Sequence, residues 1–203
     1  MHTGFKIVLA ACIALAAGPA QAQRLDSRMD NLKQDMAACK GSDPAKAVNG
    51  CSNFIRATPD SAAVRNPTDP FSQNTVTVIT SIATNSDIAD AYVTRAFNYL
   101  KLEKFDDAIN DCTRVIRFLP NEPACYGIRA AALMSKKMDD NALADAEKGV
   151  SLAPNNADLL STRGQVYEKI GAREEAVADF QKAIQINPNQ ASAKEGLTRL
   201  SKP

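Results

Sequence analysis

Cysteines are the residues best equipped for chemistry in this chain. Cys39, Cys51, Cys112 and Cys125 lie in its body, and a fifth, Cys12, lies in an N-terminal apolar run. A thiol can act as nucleophile, metal ligand or disulfide partner, depending on what surrounds it. The usual helpers are missing. The sole histidine is His2. If the first 22 residues are a cleaved leader, Ser-His and Cys-His pairs and histidine-ligated metal sites are excluded. The cysteine spacing does not resemble a four-ligand metal site. Arg114 and Arg117, beside Cys112, stand at helical spacing and read as exposed residues. The carboxylate pairs Asp106-Asp107, Asp139-Asp140 and Glu174-Glu175 fall in the first turns of expected helices, where negative charge favours the helix dipole. No catalytic, cofactor-binding or metal-binding residue is assigned, and the chain is read as a non-enzyme.

The N-terminus reads as a targeting segment. Lys6 supplies a short positive region, Ile7 to Ala17 an apolar run, and Ala20-Gln21-Ala22 a small-x-small cleavage signal. The expectation is a secretory signal peptide, residues 1–22, cut after Ala22. Leu9-Ala10-Ala11-Cys12 is similar to a bacterial lipobox, but Ile13 to Ala17 carry the apolar run past the cysteine. Loss of Lys6 leaves 23 basic against 23 acidic residues. A neutral chain has no global field to draw in nucleic acid or anionic lipid. No membrane span is expected after cleavage.

The elements that must position any site follow from one pattern written three times. Residues 89–190 fall into rows of 34: 89–122, 123–156 and 157–190. Small residues form two columns, Ala96, Ala130, Gly164 and Ala108, Ala142, Ala176. Pro120, Pro154 and Pro188 form a third. Bulky residues form two more, Tyr92, Tyr126, Leu160 and Tyr99, Leu133, Tyr167. A fixed period of this kind marks a solenoid made from one supersecondary unit. Each row reads as two helices. In row three these are Ala157–Ile170 and Arg173–Ile186, with Gly171 as the turn and Asn155-Asn156 offering N-cap oxygens. Small columns let two helix backbones approach, and a lone hairpin cannot bury its apolar face, so the rows must stack.

These columns resemble the tetratricopeptide repeat (TPR). The resemblance implies an all-α fold, a right-handed α-solenoid of stacked antiparallel helix pairs with a C-terminal capping helix over 191–203. Rows one and two depart from it at the turn, with Glu103 and Lys137 where the family often has Gly. Row two carries Gly149 where a small residue, usually Ala, is expected, a change that should cost that helix about 1 kcal/mol.

The frame extends upstream. Ala47, Cys51, Phe54 and Pro59 have the spacing of the second-helix columns, so residues 28–60 read as a divergent fourth hairpin with Arg28–Cys39 as first helix. Cys39 and Cys51 then sit on opposite arms near the turn, where a disulfide closing the loop adds on the order of 3 kcal/mol. Cys112 occupies a core column and Cys125 starts the next row. The sequence leaves open a bridge between them or two buried thiols. Paired cysteines ahead of secreted rows are similar to those of Gram-negative envelope proteins. The expected location is periplasmic or secreted. Between residues 61 and 88 lies an insertion, with a Pro-rich loop and a short helix expected over Ser72–Ala83.

In the family, first helices line a concave surface. Carrying its columns over gives Asp90, Val93, Phe97, Leu100 and Lys101 from row one. Row two supplies Ala124, Gly127, Ala131, Met134 and Ser135. Row three supplies Asp158, Ser161, Gln165, Glu168 and Lys169. The partner-binding groove is assigned to Val93, Phe97, Leu100, Lys101, Ala131, Met134, Gln165 and Glu168. A variant of the family grips carboxylate termini of chaperones with Lys/Arg and Asn; here those positions hold Val93, Phe97, Ile128, Asp158 and Thr162. That clamp is absent. The resemblance implies a protein-interaction scaffold of the bacterial envelope that binds a protein or peptide in its groove. The alternative is a structural subunit, or a spacer that self-associates as a homo-oligomer.

Overall fold

The computed structural model describes residues 19–58 and 85–202. The expected leader up to residue 18, the lipobox-like motif and the expected helix Ser72–Ala83 lie outside the described residues. Among the described residues the chain is all-helical, with no strand. The helices are α1 (Pro19–Cys39), α2 (Pro44–Ala57), α3 (Asn85–Lys101), α4 (Phe105–Phe118), α5 (Pro123–Ser135), α6 (Asp139–Leu152), α7 (Ala157–Ile170), α8 (Arg173–Ile186) and α9 (Ala191–Leu200). The chain forms two compact units, residues 1–91 and 92–203.

In the first unit, α1 and α2 form an antiparallel hairpin. The sequence places the start of the first helix at Arg28; the structure starts it at Pro19. Residues 20–25 are Ala, Gln, Arg and Leu, all favourable in helices and with no breaker among them, so nothing stops the helix at the repeat boundary. The expected cleavage point after Ala22 falls inside its first turns. Asp43 caps α2, its carboxylate accepting from the Ala45 and Lys46 N–H groups at 3.0 Å each, with Pro44 opening the helix. Gly50 faces the end of α1, where a Cβ would stand 2.5 Å from the Cys39 backbone nitrogen. That close approach brings Cys39 and Cys51 to a Cα–Cα distance of 4.5 Å, with the sulfurs in bonding contact.

The second unit is a stack of helix pairs. α5 packs on α6 and α7 on α8; α6 in turn packs on α7, and α8 on α9. The two small-residue columns are buried throughout, so the helices of a pair meet backbone to backbone. Row one's first helix begins at Asn85, before the repeat frame starts at Ala89. Asn156 caps α7, accepting from the Asp158 and Leu159 N–H groups, and Gly171 ends it in the left-handed conformation at φ 84°. Glu103 and Lys137 take the same conformation at φ 58° and 61°. The turn thus keeps its shape where its residue is not glycine.

Two side chains pack closely over four helical glycines. A Cβ at Gly149 would sit 3.2 Å from the Leu159 Cδ2 and one at Gly127 only 2.5 Å from it. Leu159 therefore occupies space that alanine would contest. An alanine at 149 would regain helix propensity only if the Leu159 side chain gave way by a few tenths of an ångström. Phe180 plays the same part between Gly164 and Gly196, where added Cβ atoms would fall 2.7 and 2.4 Å from its ring. α9 covers this end of the core, with Ala193 buried against the cluster of Leu160, Phe180 and Ala183.

Candidate functional site

The first helices of the three rows converge on an open groove of about 480 Å³. α3 contributes Val93, Thr94, Phe97 and Leu100. α5 contributes Ala124, Gly127, Ile128 and Ala131. α7 contributes Asp158, Leu159 and Thr162, α9 contributes Ser192, and Asn156 and Gln190 come from the residues just before these two helices. The floor is mostly apolar, and Phe97, 46% exposed, is its large aromatic. Of the residues assigned from the sequence, Val93, Phe97, Leu100 and Ala131 line the groove, as do Ala124, Gly127 and Asp158 from the wider set. All five positions of the carboxylate clamp, Val93, Phe97, Ile128, Asp158 and Thr162, line it too, and none carries a positive charge.

Four assigned residues stand elsewhere. Lys101 lies beside the lining, its Nζ 4.4 Å from the centre of the Phe97 ring. Met134 packs against the core cluster of Leu133, Ala142 and Val166. Glu168 accepts two hydrogen bonds from Arg199 of α9, at 2.8 and 2.7 Å. Gln165 is half-buried and outside the lining. Met134 and Glu168, in the last turns of α5 and α7, thus meet the helices that follow instead of the open space.

The scaffold behind the groove holds a feature that the repeat columns did not disclose. Arg95, Arg129 and Arg163 each make a bidentate pair with Asp111, Asp145 and Asp179, at 2.7–2.8 Å. Each pair joins the first helix of a row to its second, and all three aspartates are buried. Arg129 also donates to Thr113 Oγ1 of the preceding row at 3.1 Å, tying neighbouring pairs together. Tyrosine rings flank the guanidiniums: Tyr92 and Tyr99 near Arg95, Tyr126 near Arg129, and Tyr167 near Arg163. Burial pushes the Asp111 carboxyl up, while the hydrogen bond and charge of Arg95 pull it down. The signal was present in the sequence, since an arginine and an aspartate 16 residues apart recur in every row. Charged residues repeating in phase are as informative as apolar ones.

Cys112 and Cys125 are buried free thiols in the core between α4 and α5. A hydrogen bond with Cys125 and burial both push the Cys112 thiol up, so it stays protonated at neutral pH. The expected acidic pairs stand in the first turns of α4, α6 and α8. Among the described residues no cluster of His, Cys, Asp or Glu could hold a metal ion, and no helix is long and apolar enough to cross a membrane.

Helix pairs stacked at a 34-residue period, with a groove across their first helices, define a tetratricopeptide-type solenoid. Residues 157–190 match the tetratricopeptide-repeat family model. No curated protein matches the chain. Solved structures do. The first TPR domain of Spaghetti (RPAP3), bound to the HSP90 peptide SRMEEVD, is 26% identical; the match covers 56% of this chain and 90% of that one, with a TM-score of 0.52. The TPR domain of Arabidopsis OM64 is 25% identical over 57% of this chain and 96% of its own, with a TM-score of 0.53. A thermophilic TPR protein of Thermus thermophilus shares the fold over 86% of this chain and 83% of its own, at 16% identity and a TM-score of 0.60.

Proposed function

We propose that this protein is a non-enzymatic interaction scaffold that holds a segment of a partner protein in the groove across α3, α5 and α7. The observation that carries this reading is the exposed apolar floor around Phe97, in a groove large enough for several side chains. Solvent-facing aromatic surface is costly to leave uncovered, and it is the kind of surface that anchors partners. The similar Spaghetti domain holds a peptide, which supports the same use of the fold here. Stacked helices present the groove ready-formed, so little order is lost on binding.

The partner belongs to the bacterial envelope in this proposal. The apolar run of the first 22 residues supports export to the periplasm or beyond. The pairing of Cys39 with Cys51 suits an oxidising compartment. A photo-reactive probe at Ile128 reads the groove directly. Phe97→Asp should cut crosslinking from that probe at least about tenfold, the loss expected on removing one buried aromatic anchor. Helix content by circular dichroism should stay unchanged. Loss of helix content would make Phe97 a core residue and sink the groove reading. Undiminished crosslinking with the fold intact would do the same.

A further inference from the structure

Among the described residues, Asp158 is the only acidic or basic side chain in the groove's lining, and it is exposed. Its carboxylate is held in place: Gln190 Nε2 donates to Oδ1 at 2.9 Å, and Asn187 Nδ2 donates to Gln190 Oε1 at 3.2 Å, fixing the amide that fixes the acid. The residue lines the groove with its carboxylate exposed. The N-terminus of α7, which could otherwise receive an anion, is closed by Asn156, whose side-chain oxygen takes the Asp158 and Leu159 N–H groups. Lys101, beside the lining on the α3 side, is engaged with the Phe97 ring.

From this arrangement we infer that the groove takes an apolar peptide segment bearing a lysine or arginine beside its anchoring residues, the cation meeting Asp158. The inference rests on the proposed groove reading and adds the chemistry of the partner. An acidic segment is disfavoured by charge: it would bring carboxylates to that of Asp158, and among the described residues the lining itself holds no cation to receive them. A free C-terminus is disfavoured for the same reason. The apolar part of the segment covers Val93, Phe97 and Ala131, and Gln190 supplies orientation to the acid instead of contact to the ligand.

The test uses the mature chain, immobilised, and a positional-scanning mixture of acetylated, amidated nonapeptides as probe. Bound peptides should be enriched in large apolar residues. Lysine and arginine should be favoured over aspartate and glutamate by at least about threefold, the scale of one solvent-exposed ion pair. Asp158→Lys should reverse the charge preference and leave the apolar enrichment in place. Acidic enrichment or no charge preference by the unaltered protein, or a basic preference that survives Asp158→Lys, overturns the inference, while apolar selection lost in Phe97→Asp still upholds the groove. Absence of any apolar selection that depends on Phe97 overturns both.

Discussion

Glu103 and Lys137 hold a conformation that L-residues other than glycine enter at a cost of about 1 kcal/mol. They hold it because the turn shape is set by the helices on either side, each closed by a hydrogen bond from the residue after the turn to a first-helix carbonyl, as Lys104 N–H to Tyr99 and Met138 N–H to Leu133. Glu103→Gly and Lys137→Gly should each stabilise the protein by about 0.5–1 kcal/mol, read as a higher urea midpoint at constant slope. Unchanged or lower midpoints would mean that the side chains make compensating contacts. The cysteines of the second unit follow from burial at the same scale. With the thiol of Cys112 pushed up by Cys125 and by desolvation, native protein at neutral pH should alkylate there only as fast as it unfolds. Rapid labelling of the folded protein would revive a nucleophilic role for that residue.

At the scale of elements, the period of 34 made the helix pairs legible before any coordinates. The helices of row three and the cap α9 stand where the columns and caps put them. Helix starts were less legible. Where no capping residue or breaker intervenes, as over residues 20–27, a repeat frame says nothing about how far a helix runs back. The arginine–aspartate pairs repeat in charge and not in size, so the columns of small and bulky residues do not reveal them. Taking two ions out of water offsets much of their attraction, so such a pair is expected to favour one alignment of the two helices more than it adds stability. Arg129→Met should nonetheless cost about 3 kcal/mol, because Asp145 is left buried without its cation. Adding Asp145→Leu should recover most of that loss in a double-mutant cycle by urea unfolding. A single-mutant cost near zero would mean that water reaches Asp145 and the pair does not set the alignment.

At the scale of the whole molecule, the pocket across α3, α5 and α7 takes in some of the residues that the columns assign to a groove and leaves out others. Val93, Phe97, Leu100 and Ala131 line it, whereas Met134 packs into the core and Glu168 turns to Arg199. Gln190, just before α9, and Ser192, in its first turn, continue the columns of Asn156 and Asp158 by one period of 34, past the three rows from which the groove was assigned. Everything proposed here depends on the groove holding a partner's segment in the native envelope. Photo-crosslinking in intact cells addresses that dependence, with the probe in turn at Phe97, Ile128 and Thr162, and at the exposed Lys148 on α6, outside the groove. One discrete intermolecular band of the same partner is expected from all three groove positions, and none from Lys148. Bands from Lys148 alone, or self-crosslinks alone from the groove, would contradict a partner-binding groove.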